Sequence, residues 1–439
     1  MSNIINPSIL PGFMELLPED QVIFNKMKDI VEEEFVKFGY FPIETPVIEK
    51  TEILLSKGGG ETQKQIYKIE DKSTDQALKF DLTVPLARYV SQYQHELVFP
   101  FKRYQIDRVH RGERNQRGRY REFYQADVDI IGRESLSIVN DAELPKTMYN
   151  IFKRLNIGSF TFNINNRKIL NGYFEYLNIK DREETLRILD KIEKIGEKKV
   201  RDSFNDLGID KNCQDKIFLL IENVSNEEVI EKLDKLSSEI DNETFLEGVE
   251  ELETVYKYMK EFGIEDKCIE LDLSIARGLD YYTGTVLETF LNDHKELGSI
   301  CSGGRYDDLA SNFTNLKLPG IGLSIGLTRL FYILKENNLI NFIDEDEHYL
   351  KAVVIPMSKN EYSYGIKLTN LLRDKGYPCD IYFEGGKMKK KLSFSDKVNC
   401  QYVIIIGENE VKEEKVSLKN MASGEQELVD LDNIFNHIK

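Results

Sequence analysis

Apolar positions recur at helical spacing near the start of the chain and then give way to an extended segment. Residues 18–40 predict an amphipathic helix whose apolar positions are Val22, Ile23, Met27, Ile30, Val31 and Phe35. Pro18 followed by two acidic residues suits a helix start, because acidic groups are stabilised at the positive end of the helix dipole. The next segment, 41–49, carries two prolines and predicts a strand at an edge or an interface.

Alternation of apolar and polar residues predicts an antiparallel hairpin further along. Residues 79–93 indicate a strand end that turns into a helix. Segments 101–111 and 118–132 both alternate, and a polar, arginine-rich loop joins them. We expect these two strands to pair antiparallel.

The middle and the end of the chain differ in pattern. Residues 173–262 lack proline, are highly charged and have helical periodicity, which predicts a helical insertion. Residues 264–335 return to strands, with a glycine-rich turn at 302–306. Strand and helix patterns alternate over 346–439, which predicts an independent α/β domain.

Composition is that of an ordinary globular protein. The 439 residues suggest two or three domains, and 41% are hydrophobic and 31% charged. The longest apolar runs are far too short to cross a bilayer, and the first residues show no signal sequence. Five scattered cysteines indicate neither a disulfide framework nor a zinc site, so we predict a reduced, cytoplasmic protein with no protein-held metal.

One basic segment contrasts with the formal net charge of −17. Residues 110–125, HRGERNQRGRYREFYQ, contain five arginines. Arginine binds phosphate bidentately and stays protonated, and strand alternation places Arg119 and Arg121 on the same face as Phe123. These residues could form a nucleotide platform, and the alternative is a solvated basic hairpin. The chain has no P-loop and no dinucleotide-binding fingerprint, so ATP would bind by another route.

Two later segments are ambiguous by themselves. ARGLDYYTGTVLETF, residues 276–290, could line a polar pocket or form an ordinary strand. The glycines of 302–309 and 320–330 allow a close backbone approach, either by a ligand or by a neighbouring helix.

Taken in order, these segments resemble the histidyl-tRNA synthetases, a family of class II aminoacyl-tRNA synthetases. The resemblance runs nearly end to end through PGFMELLPED, FPIETP, FDLTVPLARY, the arginine hairpin, ARGLDYYTGTV, GGRYDDL and GLTRL. The RGLDYY segment is much more specific to this family than the degenerate class II motifs.

The resemblance implies an α+β catalytic core with an antiparallel six-stranded sheet. The core would comprise residues 1–172 and 263–338, with a helical insertion at 173–262 and an α/β anticodon-binding domain at 346–439. The segment around Pro46 would belong to a homodimer interface.

The resemblance also assigns an ATP site. Arg111 would hold the α-phosphate and Arg119 the γ-phosphate, while Phe123 would stack on adenine and Glu113 would contact its edge. Arg329 would add a further phosphate contact. The residues expected to face the acceptor end of tRNA are Arg114, Asn115, Gln116 and Arg117.

A histidine pocket carries over in the same way. Asp81, Thr83 and Gln125 would lie near the α-amino group, and Asp129 would take one imidazole nitrogen. A site that satisfies hydrogen bonds rejects analogues lacking them by roughly 10⁴–10⁵-fold, so no editing domain is expected. The remaining residues assigned to this pocket are Leu82, Arg111, Arg277, Tyr281, Tyr282 and Tyr306.

The implied reaction has two steps. The histidine carboxylate would attack the α-phosphorus of ATP between Arg111 and Arg277, with Mg²⁺ bridging the departing pyrophosphate. A ribose hydroxyl of tRNA(His) would then attack the adenylate and pass its proton to the substrate's own phosphate. Thr328 replaces the glutamate of many family members, which weakens the expectation of a protein carboxylate on Mg²⁺ at that position.

Three alternatives share parts of this pattern. A regulatory paralogue of an ATP phosphoribosyltransferase would bind histidine without tRNA, and such chains tend to lack the phosphate arginines and the anticodon domain. A sensor of uncharged tRNA would be fused to an effector domain. A synthetase for proline, threonine or glycine would lack RGLDYY and Asp129.

Overall fold

Two compact units, Met1–Phe342 and Ile343–Lys439, make up the chain. The computed structural model describes residues 5–56, 64–70, 75–113, 118–275, 282–343 and 348–438. None of the helices in these described segments is both long and apolar enough to cross a membrane.

The first unit is built on a mixed sheet of eight strands. Six neighbouring strands pair antiparallel, and a short parallel strand lies at each edge. The resemblance implied six strands, and that count is not confirmed. In sheet order the strands are β1 (Phe41–Pro42), β5 (Phe101–His110), β6 (Glu122–Ile131), β11 (Gly320–Ile325), β10 (Cys301–Tyr306), β9 (Thr285–Leu291), β7 (Phe160–Asn166) and β8 (Ile269–Leu271). A second, three-stranded sheet has the order β2 (Ile48–Lys50), β4 (Gln76–Leu78) and β3 (Lys68–Ile69).

The predicted hairpin is confirmed as the β5–β6 pair. Its register places Arg103 opposite Asp129, and β11 then places Gly322 on the other side of Asp129. On β6 the apolar side chains Ala126, Val128 and Ile130 are fully buried in the core. Because successive side chains of a strand point to opposite faces, the polar residues between them face the other side of the sheet.

Helices cover the apolar face of this sheet. The predicted N-terminal helix is present as α1 (Pro18–Lys37), which buries Phe24, Met27, Val31 and Phe35. The short helix α2 (Thr51–Leu54) packs on the three-stranded sheet and on α3 (Thr83–Gln92), whereas α4 (Asn140–Arg154) and α12 (Leu327–Glu336) pack on the eight-stranded sheet.

The segment between β7 and β8 is helical, as its periodicity predicts. The helices are α5 (Arg167–Tyr176), α6 (Arg182–Leu189), α7 (Ile192–Ile195), α8 (Glu197–Asp206), α9 (Lys211–Leu220), α10 (Asn226–Glu239) and α11 (Glu243–Glu261). Helix α10 begins with a reciprocal capping box between Ser225 and Glu228. Glycines bring α5 and α11 close together, because a Cβ on Gly172 would lie 2.4 Å from the backbone nitrogen of Phe245.

The second unit is an α/β domain, which confirms the prediction for the C-terminal part of the chain. Its five-stranded sheet has the order β13 (Cys379–Ile381), β12 (Leu350–Pro356), β14 (Cys400–Ile406), β15 (Lys415–Asn420) and β16 (Gln426–Asp430). The first three strands are parallel and the last two join antiparallel. The helices are α13 (Tyr362–Asp374), α14 (Met388–Lys397), α15 (Glu408–Glu413) and α16 (Ile434–His437).

Candidate active site

A cavity of ≈ 570 Å³ opens on the polar face of the eight-stranded sheet. A slot of ≈ 20 Å³ adjoins it between β6, β10 and β11. Thr83, Asp127, Tyr282, Ser302 and Ser324 line both spaces, so the slot is a side compartment of the larger cavity.

Arg111 lies where β5 ends and is held from two sides. Its Nε donates to the carbonyl oxygen of Phe80 at 2.9 Å, and its Nη2 donates to Oε1 of Gln125 at 3.2 Å. The guanidinium carbon lies 5.1 Å from the ring centroid of Phe123. A fixed cation beside an aromatic face suits a nucleotide whose base stacks and whose phosphate pairs with the arginine.

A second cationic group reaches the same cavity from the first turn of α12. Arg329 donates to the backbone carbonyl oxygens of Ser299, at 3.1 Å, and of Leu297. Burial lowers its pKa, and the charge of Arg119 lowers it further. Two guanidinium groups close enough to repel each other favour a ligand with several negative charges.

Asp81 combines a structural contact with an unpaired oxygen. Its Oδ1 accepts the backbone N–H of Val84 at 3.1 Å in the first turn of α3. Its Oδ2 is buried without a hydrogen-bond partner among the described residues. Burial raises the pKa of Asp81 to about 6, against the opposing effects of the Val84 hydrogen bond and of Arg111.

Asp129 is the buried acceptor at the end of the slot. Its Oδ2 lies 2.5 Å from Nη2 of Arg103, a side chain with no exposed surface, and Tyr306 donates its hydroxyl to Oδ1 at 2.8 Å. Burial raises the pKa of Asp129, while the charge of Arg103 opposes that shift. The glycine at position 322 makes room for this carboxylate, since a Cβ there would lie 2.1 Å from Oδ1.

Most of the residues predicted from sequence come together here. Those on the cavity wall are Asp81, Thr83, Arg111, Glu113, Arg119, Phe123, Gln125, Tyr282 and Arg329. Asp129 and Tyr306 line the slot. Leu82 is fully buried and does not line either space, because its side chain points into the protein at the start of α3. The predicted residues outside the described part of the chain are Arg114, Asn115, Gln116, Arg117, Arg277 and Tyr281.

Sequence reasoning missed three residues of this site. Arg103 pairs with Asp129, Ser324 accepts a hydrogen bond from Nε2 of Gln125 at 2.6 Å, and Asp127 lines both cavity and slot. The available signal was strand alternation, which puts Asp127 on the same face as its neighbours at 125 and 129.

The arginine-bearing antiparallel hairpin, together with an arginine in the helix that follows the last core strand, defines a class II aminoacyl-tRNA synthetase. Two family profiles match the chain: "Histidyl-tRNA synthetase" over residues 12–330 and "Anticodon binding domain" over 351–439. The chain belongs to the histidyl-tRNA synthetase family.

The sequences of individual relatives match this chain along its whole length. The histidine–tRNA ligase of Clostridium tetani is 54% identical over 439 residues, covering 100% of this chain and 99% of the relative. That of Finegoldia magna is 52% identical, covering 99% and 100%. The crystal structure of histidyl-tRNA synthetase from Nostoc sp. PCC 7120 matches with a TM-score of 0.90 at 40% identity, covering 99% of each chain.

Proposed function

We propose that this chain ligates L-histidine to tRNA(His) in an ATP-dependent reaction that passes through histidyl-adenylate. The observation that carries the proposal is the shared cavity: Arg111 and Arg329 enter it from distant parts of the sequence, beside a slot that ends in Asp129. Full-length similarity to histidine–tRNA ligases supports the same activity.

The arginines would bind ATP and stabilise the charge that develops during adenylation. Arg111 would hold the α-phosphate, Arg119 the γ-phosphate and Arg329 a further phosphate oxygen, while Phe123 stacks on the adenine. Arg111 has a fixed position before substrate binds, because Phe80 and Gln125 hold it. Pre-placed cations stabilise the transition state without reorganising during the reaction. Arg277 would act on the same phosphate from the other side, and Glu113 would contact the adenine edge.

Magnesium would neutralise the charge of the departing pyrophosphate. No cluster of three potential protein ligands occurs in the described segments, and the Thr328 hydroxyl accepts the backbone N–H of Tyr124 at 2.8 Å. Mg²⁺ commonly binds through one or two carboxylates plus substrate phosphates, and Glu288 on the cavity wall provides a carboxylate. A single nearby carboxylate, that of Glu288, fits a cation that would be held mainly by the phosphates of ATP.

The slot would select histidine by its imidazole ring. Asp129 would accept an imidazole N–H, and the ion pair with Arg103 favours the charged form of Asp129 that accepts it. Tyr282 and Tyr306 would line the ring, with Tyr281. The α-amino group would lie near Asp81, Thr83 and Gln125.

The second step would transfer histidine to tRNA. Residues 114–117 would face the acceptor end, and the unit at 343–439 would bind the anticodon. The proton of the attacking ribose hydroxyl would pass to a phosphate oxygen of the adenylate. A homodimer with an interface around Pro46, and a cytoplasmic location, stay predictions from the family resemblance.

Histidine-dependent exchange of pyrophosphate into ATP tests the adenylation step. The native chain should catalyse exchange with histidine alone among the amino acids. Arg111→Ala should lower the rate at least about a hundredfold, as expected when a charge stabiliser of the transition state is lost. Arg108→Ala is a matched control on the same strand, because Arg108 is half exposed and pairs with Glu122 at 3.4 Å. Histidine binding without exchange would contradict the proposal and favour a regulatory paralogue.

A further inference from the structure

The guanidinium group of Arg329 is held by the short segment that joins β9 to β10. Its Nη1 donates to the carbonyl oxygen of Ser299 at 3.1 Å, and its Nη2 donates to the carbonyl oxygen of Leu297. Gly298 lies between these two acceptors. Within the described part of the chain, this guanidinium therefore donates to two backbone oxygens that flank one glycine.

Backbone acceptors fix the guanidinium without neutralising it. A carboxylate would form a charge-assisted pair that offsets the positive charge, whereas a carbonyl oxygen carries only a partial charge. Burial lowers the pKa of Arg329, the charge of Arg119 adds to this effect, and the charge of Glu288 opposes it. An arginine that is directed by carbonyl groups keeps its charge for a ligand, as expected of a pre-placed phosphate contact.

Local hydrogen bonds keep these two carbonyl groups in place. The backbone N–H of Gly298 donates to the carbonyl oxygen of Lys295 at 2.9 Å. The hydroxyl of Ser299 donates to the carbonyl oxygen of Cys301, the first residue of β10, at 2.8 Å. The segment that accepts from Arg329 is thus tied to the sheet before any nucleotide binds.

Gly298 has a backbone conformation that is nearly restricted to glycine. Its φ is 75° and its ψ is −176°, a region that residues with a Cβ rarely enter. A Cβ at this position would also lie 2.9 Å from Nη2 of Arg329, which is inside van der Waals contact. Residue 298 therefore controls both the direction of the flanking carbonyl groups and the space open to the guanidinium.

The end of the Arg329 side chain, rather than the fold, would yield to a side chain at position 298. The two described atoms within 4 Å of such a Cβ are Nη2 and the guanidinium carbon, the latter at 3.8 Å. The end of a long side chain can turn aside without moving the backbone, so the collision itself should cost little stability. Its effect on the reaction should be larger, because a misplacement of about 1 Å can cost about a hundredfold in rate.

We propose that Gly298 is a positioning residue that directs Arg329 at the phosphates of ATP. This inference rests on the proposed function and deepens it, because it assigns the geometry of one phosphate contact to a residue that does not itself line the cavity. Glycine lets both neighbouring carbonyl groups accept from the guanidinium and leaves free the space that Nη2 occupies. Any other residue would turn the peptide or displace the guanidinium, and either change moves Arg329 away from the phosphate.

Histidine-dependent pyrophosphate exchange with varied ATP tests this role on the full chain. Gly298→Ala should lower kcat/KM for ATP by at least about tenfold, while KM for histidine changes less than about twofold. Gly196→Ala is the matched control, because Gly196 has a φ of 80° and a ψ of 157° and a Cβ there would meet no described atom within 4 Å. It introduces similar backbone strain and should leave both constants within about twofold of the native values.

A double-mutant cycle separates positioning from general damage. Arg329→Ala removes the group through which Gly298 is proposed to act, so adding Gly298→Ala should lower kcat/KM for ATP by less than about a further twofold. Arg329→Lys keeps the charge but lacks the planar fork that contacts both carbonyl groups, so it should lose at least about tenfold.

Several results would overturn the role of Gly298. These are native-like exchange by Gly298→Ala, an equal loss in Gly196→Ala, and losses that multiply in the double variant. Native-like exchange by Arg329→Lys would show that a fixed fork is not needed, and this variant decides the question even if Gly298→Ala does not fold. Absence of exchange in the native chain would instead refute the proposed function, and the dissociation constant of ATP, measured by calorimetry on the same variants, would then decide the role of Gly298.

Discussion

Arg103→Met would separate the structural and the substrate-binding roles of the buried pair at the end of the slot. Arg103 and Asp129 are both buried, and their charged atoms lie 2.5 Å apart. Removing one partner of such a pair costs about 3–5 kcal/mol, because the other charge is left without compensation. Unfolding entropy of about 2 cal/mol/K per residue, over the 342 residues of the first unit, gives roughly 0.7 kcal/mol per degree. We therefore expect the melting temperature of this unit to fall by about 4–7 °C.

The double variant Arg103→Met/Asp129→Asn makes this prediction specific. Removing both charges leaves no unpaired ion, so at least half of the lost thermal stability should return. Histidine-dependent pyrophosphate exchange should stay at least about tenfold below the native kcat/KM, because the charged acceptor that we propose for imidazole is absent. In the double variant, thermal stability should therefore recover while the rate of pyrophosphate exchange stays low.

The pH dependence of the single variant has a definite sign. Without Arg103, the pKa of Asp129 in the folded state rises further above its unfolded value, so the folded protein binds the proton more tightly. Stability is then greatest at low pH and falls as pH rises. Differential scanning calorimetry at pH 5.5 and pH 8 should show the smaller loss at pH 5.5. A double variant no more stable than Arg103→Met, or an unchanged melting temperature in the single variant, would refute this account of the pair.

Three further outcomes follow from the site. Gly322→Ala should lower kcat/KM for histidine at least about a hundredfold in pyrophosphate exchange with an unchanged circular dichroism spectrum, because a Cβ would lie 2.1 Å from Oδ1 of the slot carboxylate. Phe123→Leu should raise KM for ATP about tenfold without changing KM for histidine, since stacking contributes roughly 1–3 kcal/mol per base; equal shifts in both constants would contradict adenine stacking. In the ligand-free chain, the pKa values of Asp81 and Asp127 are raised by burial to about 6 and about 7. Acids with a raised folded pKa favour folding at low pH, so these two contribute a loss of stability between pH 4 and 7, and the double Asn variant should show a flatter profile of melting temperature against pH.

The sequence predicted those parts of the fold whose pattern extends over many residues. The β5–β6 hairpin has ten residues in each strand, and the C-terminal domain repeats its strand and helix pattern several times. The two parallel edge strands, Phe41–Pro42 and Ile269–Leu271, are too short to show a period. The sequence predicted extended segments at both places but not their parallel pairing with the edges of the sheet, and the expected count of six strands came from the family resemblance.

The structure brings together predicted residues that lie within recognisable motifs, whereas the partners of these residues were not predicted. Arg103 carries no local signal, because its relation to Asp129 depends on the strand register, which places the two residues opposite each other. Asp127 lies within a recognised segment, yet the family resemblance assigned roles only to Gln125 and Asp129 on either side of it. Its Oδ1 has no hydrogen-bond partner among the described residues, which is apparent only when burial and hydrogen bonds are known.

The pairing of Arg103 with Asp129 also restricts how this site can evolve. A single substitution at either position leaves an unmatched charge in the interior. Under the role proposed for Asp129, a change of amino-acid preference through this residue would therefore also cost fold stability unless Arg103 changed with it.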